Sequence, residues 1–329
     1  MKPALLPWHA ANWRRVSEAI RQGRLAHALL LSGAGGTGKR AFAQVLAGAL
    51  LCRAPDAQSL PCGVCGDCRQ LAAGAHPGFA LLRPEEDKRD IGIDAVREVC
   101  SRLTLTSHDG RAKLALIDPA DALNLNGVNA LLKTIEEPPP RCTILLLAQR
   151  PLALRATLRS RCQNLRFAIP PRVDAQAWLA QAEPAATPAA RDAALELALG
   201  APLAARQLLG DGALDRQVAW FALMSELSGG NGDPLAAAAG IGEDRAAEFL
   251  QWLFACLRRL LAERLGLAAA GTDSLPAAAR ILPQRAVDAY ITELQECLRR
   301  LESNAKAQLV LESMLIRWRS LTLSRTARA

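Results

Sequence analysis

Three groups of residues in this chain have types and spacings that could do chemistry. The first is a phosphate loop, Gly33-Ala34-Gly35-Gly36-Thr37-Gly38-Lys39. Its glycines let backbone N–H groups approach phosphate oxygens, and the lysine adds a cation near the β- and γ-phosphates. Gly33, Gly35, Gly36, Gly38 and Lys39 are the nucleotide-binding candidates. The next residue breaks the pattern. Arg40 stands where a Ser or Thr hydroxyl would hold magnesium, and a guanidinium has no lone pair to offer a metal. The second nucleotide element is also incomplete. Leu114-Ala115-Leu116-Ile117 leads to Asp118, but Pro119 follows where a glutamate should activate water. Asp118 thus belongs to a degenerate site that leaves ATP binding open and lacks the parts for hydrolysis in cis. Asp121, three residues on, is expected to point elsewhere on that turn, and Pro119 to open the next helical turn.

The second group is Cys52, Cys62, Cys65 and Cys68, with Gly63 and Gly66 between them to make tight turns. Four thiolates so close in sequence match a tetrahedral Zn²⁺ site. All four positions are cysteine, so no position is left for water, and the expected role is structural. The remaining five cysteines, Cys100, Cys142, Cys162, Cys256 and Cys297, are scattered and read as small hydrophobes.

The third group is Ser160-Arg161-Cys162. An arginine offered across an interface can stabilise charge on a transferring phosphoryl group, an effect worth about 10³–10⁵ in rate. On spacing alone, an arginine that satisfies the carbonyls at a helix end is the stronger reading.

These residues need a scaffold, and the pattern supplies one. Ala28 to Ser32, Phe79 to Arg83, Leu114 to Asp118 and Thr143 to Ala148 read as buried strands. Lys39 to Leu51, Ile93 to Leu105 and Asn126 to Glu137 read as helices, the last stopped by Pro138-Pro139-Pro140. Glu136 and Glu137 at its end do not read as a catalytic pair. Alternating strands and helices predict a parallel sheet covered on both faces. After Ile169-Pro170-Pro171 the strand signals vanish. Short helices are expected to about 209, then longer ones over 214–228, 243–265, 285–302 and 305–323, with loops at Gly229-Gly230-Asn231-Gly232 and Gly271-Thr272-Asp273. Trp220, Trp252 and Trp318 fall at helical positions and read as core or interface anchors rather than base-stacking platforms.

The chain has 329 residues, half of them hydrophobic, enough for two or three domains. Its net charge of +8 is uneven: residues 1–167 hold 23 Lys and Arg against 14 Asp and Glu, whereas residues 168–329 are nearly balanced. A basic nucleotide-fold half suits ATP, DNA or both, although a merely soluble surface explains the charge as well. Met1 to His9 contains no apolar run of signal-peptide length, and no charge-free stretch is long enough to span a bilayer. A cytoplasmic setting without a membrane is expected, where reduced thiols favour metal binding over disulfides.

Taken together, these motifs resemble the delta-prime clamp-loader family of bacterial DNA polymerase III. The resemblance is carried by His27-Ala28, the phosphate loop, the four cysteines, Gly92-Ile93-Asp94-Ala95-Val96-Arg97, Asn129-Ala130-Leu131-Leu132-Lys133-Thr134-Ile135-Glu136-Glu137-Pro138-Pro139 and Ser160-Arg161-Cys162. It spans residues 27–162; beyond about 170 only length and helical character match. The resemblance implies an α/β AAA+ P-loop core with a zinc knuckle over 1–168 (the four-cysteine module at 52–68). A small helical lid over 169–209 and an all-α collar over 210–329 would follow.

The resemblance further implies a hetero-pentamer with delta and three gamma or tau motor subunits, reaching primed DNA and the sliding clamp through the complex. In it this chain would be a stator that does not hydrolyse ATP. Arg161, with Ser160 and Cys162 completing its motif, would reach the ATP of the adjacent motor. Any DNA-directed DNA polymerase (nucleotidyltransferase) activity would belong to the holoenzyme. Two further departures agree: Gln149 lies near the first-sensor position, where Asn or Thr is usual, and Leu203 of Gly200-Ala201-Pro202-Leu203 falls where active motors carry a sensing arginine. The alternatives are an active gamma/tau-like AAA+ ATPase, which needs Arg40 and Pro119 to be tolerated, and a zinc-containing nucleic-acid-binding protein whose phosphate loop is only scaffold.

Overall fold

Leucine triplets such as Leu29-Leu30-Leu31 are apolar on both faces of a strand, so they need cover on both sides. The computed structural model, which describes residues 5–85, 88, 90–104, 112–210, 212–266, 280, 282–302 and 305–326, provides it. Five strands, β1 (Ala28–Gly33), β2 (Phe79–Leu82), β3 (Lys113–Ile117), β4 (Cys142–Ala148) and β5 (Gln163–Phe167), form one sheet. Their order is β2-β3-β4-β1-β5 and every pairing is parallel. One face buries Leu29, Leu31, Leu116, Leu145 and Leu147 under helices α1 (Ala10–Arg21) and α2 (Lys39–Leu51). The other buries Leu30, Ile117, Ile144 and Leu146 under α4 (Ile93–Thr104) and α5 (Leu125–Glu136). This is the parallel sheet covered on both faces that the alternation of strands and helices predicts.

The chain divides into two compact units, Met1–Gln181 with Gly200–Ala204, and Ala182–Leu199 with Ala205–Ala329. Helix α3 (Gly66–Ala72), the short α6 (Ala156–Ser160) and most of α7 (Arg172–Ala182) belong to the first. Helix α9 (Pro202–Gly210) starts in the segment grouped with that unit.

Among its described residues the second unit is helical: α8 (Pro188–Leu197), α10 (Ala213–Ser228), α11 (Pro234–Ile241), α12 (Ala246–Arg264), α13 (Gln284–Glu302) and α14 (Ala307–Thr326). Asp233 caps α11 with its carboxylate, and Pro234 fills the first position, where no N–H is needed. Trp220, Trp252 and Trp318 all sit in the core, as their spacing suggests. Trp318 is fully buried and donates its indole N–H to Ser228 Oγ at 2.9 Å. No described helix is long and apolar enough to cross a membrane. The loop expected at Gly271-Thr272-Asp273 lies outside the described residues, as does Leu105.

The first unit holds elements beyond the sequence reading, helix α3 among them. Helix α1 precedes the first strand, burying Trp13 and Val16. Strand β5 adds a fifth, edge strand, in which only Leu165 and Phe167 are buried.

Candidate functional site

The phosphate loop leaves the end of β1 and turns into α2, whose N-cap is Gly38 at φ 90°. Left-handed backbone there and at Gly36 (φ 72°) favours glycine. Both positions are also covered. A Cβ on Gly36 would stand 2.6 Å from Ala204 Cβ, and one on Gly38 would stand 2.4 Å from Leu6 Cδ1. Leu203 donates its N–H to the Gly36 carbonyl at 3.1 Å, so the turn aligned with the missing sensing arginine does reach the loop, through a backbone bond and alanine methyl groups rather than a cation. From the other side, Trp8 Nε1 donates to the Thr37 carbonyl at 2.9 Å and His9 Nε2 lies 3.0 Å from the same oxygen. Burial lowers the pKa of His9, which favours a neutral ring donating through Nε2. The rings of His9, Trp13 and Phe167 all pack edge-on against Phe42.

Lys39 is buried within this wrapping and donates to the carbonyls of Gly33 and Ala34, both at 2.7 Å. Burial pulls its pKa down, opposed by the charges of Asp121 and then Asp118. Gln149 brings its amide against Gly35. Asp118 is only 6% exposed, and its Oδ2 is ion-paired with Arg40 Nε, with Arg83 Nη2 a further 3.7 Å away. The backbone of the loop fits a phosphate. The metal position does not fit magnesium, because a guanidinium already neutralises its carboxylate.

Asp121 points elsewhere on its turn, as its spacing suggests, and finds partners there. It accepts from the amides of Gln149 (2.7 Å) and Arg150 (3.3 Å), tying the turn after β4 to the end of β3. Its other oxygen is buried without a hydrogen-bond partner among the described residues. Pro119 occupies the N-cap of the short turn Ala120–Ala122, one place before its first residue.

Cys52, at the end of α2, and Cys65 and Cys68, around the start of α3, converge with Cys62. The four sulfurs lie within 4.8 Å of one another, with Cys52–Cys62 at 3.5 Å and Cys52–Cys65 and Cys62–Cys68 at 3.9 Å. A tetrahedron with metal–sulfur bonds of about 2.3 Å has edges of about 3.8 Å, so these separations suit one ion. Backbone amides of Ala54, Cys62, Cys65 and Cys68 approach sulfurs of the cluster at 3.4 Å each. Amide bonds, that of Cys68 foremost, draw the Cys65 thiol down to about 6, and Cys62 is lowered by the amide of Val64. Burial pushes Cys68 up to about 12 and also raises Cys52. A bound dication would favour the thiolate at all four. Between two of the ligands, buried Asp67 accepts from Arg53 Nε at 2.6 Å and lies 3.5 Å from His76 Nε2, bracing the knuckle. The site can hold a metal.

Arg161 follows the last residue of α6 and is 43% exposed. Its Nε donates to Glu136 Oε1 at 2.7 Å and its Nη1 to the Thr157 carbonyl at 3.2 Å. Ser160 Oγ donates to the same carbonyl at 3.1 Å. Cys162 is buried beneath the sheet, and burial pushes its thiol up to about 11. Of the three motif residues, only Arg161 presents charge outward; Ser160 shapes the turn and Cys162 packs it. His27, just before β1, pairs its Nε2 with the Ile135 carbonyl at 2.9 Å.

Two residues in these arrangements escape sequence reasoning. Asp121 is flagged only by lying near Asp118, and Glu136 only by ending a helix before a proline.

Known proteins resemble both halves. The family described as "DNA polymerase III, delta subunit" matches residues 8–171, and "DNA polymerase III, delta subunit, C terminal" matches residues 215–320. "DNA polymerase III subunit delta'" of Pseudomonas aeruginosa is 38% identical over 213 residues, 65% of this chain and 64% of that protein. Its namesake in Yersinia pestis is 33% identical over 329 residues, 95% of this chain and 94% of the relative. "DNA polymerase III subunit gamma/tau" of Mycobacterium bovis is 36% identical over 159 residues, 48% of this chain and 27% of that protein.

Proposed function

Because the chain belongs to the delta-prime family of DNA polymerase III and is a clamp-loader subunit, we propose that it works as the loader's stator. It does not turn over ATP, and it supplies Arg161 to ATP held by an adjoining gamma/tau-type motor. One observation carries this reading: its two cations suited to a triphosphate stand in opposite conditions. Lys39 is buried on carbonyls of its own loop, beside a metal position taken by Arg40, whereas Arg161 projects from a helix end. A guanidinium offered there can neutralise charge as the γ-phosphoryl group departs, without moving at the moment of reaction.

In this reading residues 169–209 serve as lid and 210–329 as collar, in a pentamer with delta and three motors. Primed DNA and the sliding clamp are handled by the whole assembly, in the cytoplasm. The four cysteines hold structural zinc, expected at one equivalent per chain by metal analysis after thiol modification. A metal-free chain with its knuckle intact would remove zinc from the reading.

The deciding experiment reconstitutes the complex with parent chain or Arg161→Ala and follows ATP hydrolysis in a single turnover. One site, the one facing this chain, should slow by about 10³–10⁵ while assembly is unchanged. Equal time courses would sink the arginine's role in trans.

A further inference from the structure

Arg161 does not hang free. Its Nε is held by Glu136 at 2.7 Å and its Nη1 by the Thr157 carbonyl at 3.2 Å. These two bonds fix the guanidinium plane from two directions. Among the described residues neither holds Nη2, so one edge of the fork stays available. The carbonyl comes from the arginine's own helix, whereas the carboxylate comes from the end of α5, a different element packed on the same face of the sheet.

The position of Glu136 is informative. It is the last residue of a 12-residue helix, and Glu137 follows it. A carboxylate at a helix C-terminus opposes the helix dipole, so the placement does nothing for α5 itself. Glu136 and Arg161 are also 49% and 43% exposed, and ion pairs with that exposure add little to stability. What the pair does supply is orientation. A long side chain that would otherwise sample many rotamers is set before a phosphate arrives, and less freedom is lost on engagement.

We propose that Glu136 is the positioning residue of Arg161, holding the guanidinium so that its Nη2 edge faces the neighbouring triphosphate. The inference rests on the stator reading above and deepens it. Glu136 touches no reacting atom. Its carboxylate fixes the arginine and leaves the charge on the phosphoryl group to Arg161.

The test uses the reconstituted clamp-loader complex and four forms of this chain: Glu136→Gln, Glu136→Ala, Arg161→Ala and the double variant Glu136→Ala/Arg161→Ala. Single-turnover hydrolysis and the KM for ATP are measured for each. Loss of preset orientation predicts a slowing of about 3- to 30-fold for Glu136→Ala. Glu136→Gln should fall between parent and alanine, since its amide oxygen still accepts from Nε, and KM and assembly should not change. The double variant should be no slower than Arg161→Ala alone. A gain in rate with glutamine would mean that the carboxylate acts only as unwanted negative charge, and it overturns the proposal. So does a parent-like rate for Glu136→Ala, or a double variant slower than the arginine single. If Arg161→Ala is itself silent, the stator reading fails; if it is strong while both Glu136 variants are silent, only the positioning role fails.

Discussion

Lys39 and Arg161 make an instructive pair. Both belong to motifs whose sequence reads as suited to phosphates, and both lie in the same compact unit. Lys39 is 6% exposed, donates to two carbonyls of its own loop and is roofed by the segments around Leu6–His9 and Gly200–Ala204. Arg161 is 43% exposed, held at one edge and open at another. Motif identity therefore says which residue types are present, whereas partners and burial say which cation can still be offered. The difference is one of accounting for hydrogen bonds: Lys39 already gives two of its three ammonium protons to its own loop, whereas the Nη2 edge of Arg161 is uncommitted among the described residues.

Several changes would break or sharpen that contrast. The largest effect belongs to the open cation. Arg161→Lys keeps the charge but replaces a planar fork by a point charge, so most of the roughly 10³–10⁵-fold loss should persist in single-turnover assays of the complex. Full activity with lysine would show that charge alone matters. Next comes the packing that shuts Lys39 in. Phe42 is fully buried against His9, Trp13 and Phe167. Phe42→Ala should lower stability by about 3–5 kcal/mol in urea unfolding; a loss well under 1 kcal/mol would mean that the cover is not held by its aromatic bed.

Arg40→Ser is a smaller perturbation and a sharper question. It restores a hydroxyl at the metal position but takes the near ion-pair partner from buried Asp118, leaving the more distant Arg83 and the charge of Lys39. A stability loss of about 1–2 kcal/mol is expected, because a buried carboxylate loses its near partner. Phosphate release by the isolated variant should stay at background, since Pro119 still stands where water would be activated; steady turnover would undo the view of a pocket disabled at several points.

The smallest effect is a pH dependence. Burial lowers the pKa of His9 below its ordinary value of 6.5. The stability linked to its neutral form is thus present above that value and is lost as pH falls through the lower folded one. His9→Gln should flatten the acid side of the stability curve of the full chain, and an unchanged slope would remove His9 as its source.

How much of this was legible varied with distance along the chain. The four-cysteine cluster was readable because its members lie within 17 residues and one local turn joins them. Strands β1, β3 and β4 were readable because central strands of a doubly covered sheet are apolar throughout. Strand β5 was not. Gln163-Asn164-Leu165-Arg166-Phe167 carries only two buried side chains, as an edge strand can. Helix α1 had a usable signal in Trp13, Val16 and Ile20 at helical spacing, but no strand before it to announce an αβ unit. The Glu136–Arg161 pair, 25 residues apart, and the Arg40–Asp118 pair, 78 apart, exist only once the sheet brings their elements together. Asp121 points away from the missing glutamate's place, as its spacing suggests, but its partners were hidden for the same reason: they are amides after β4.

The roof over the phosphate loop has a consequence for motion. Residues near positions 6–9, 36–38, 167 and 201–204 meet at one place although they are scattered over most of the first unit's sequence. Lifting any one of them alone exposes little. Amide hydrogens of this loop should therefore exchange with deuterated solvent only when the whole unit opens, making a nominal ligand loop one of the slowest clocks in the protein.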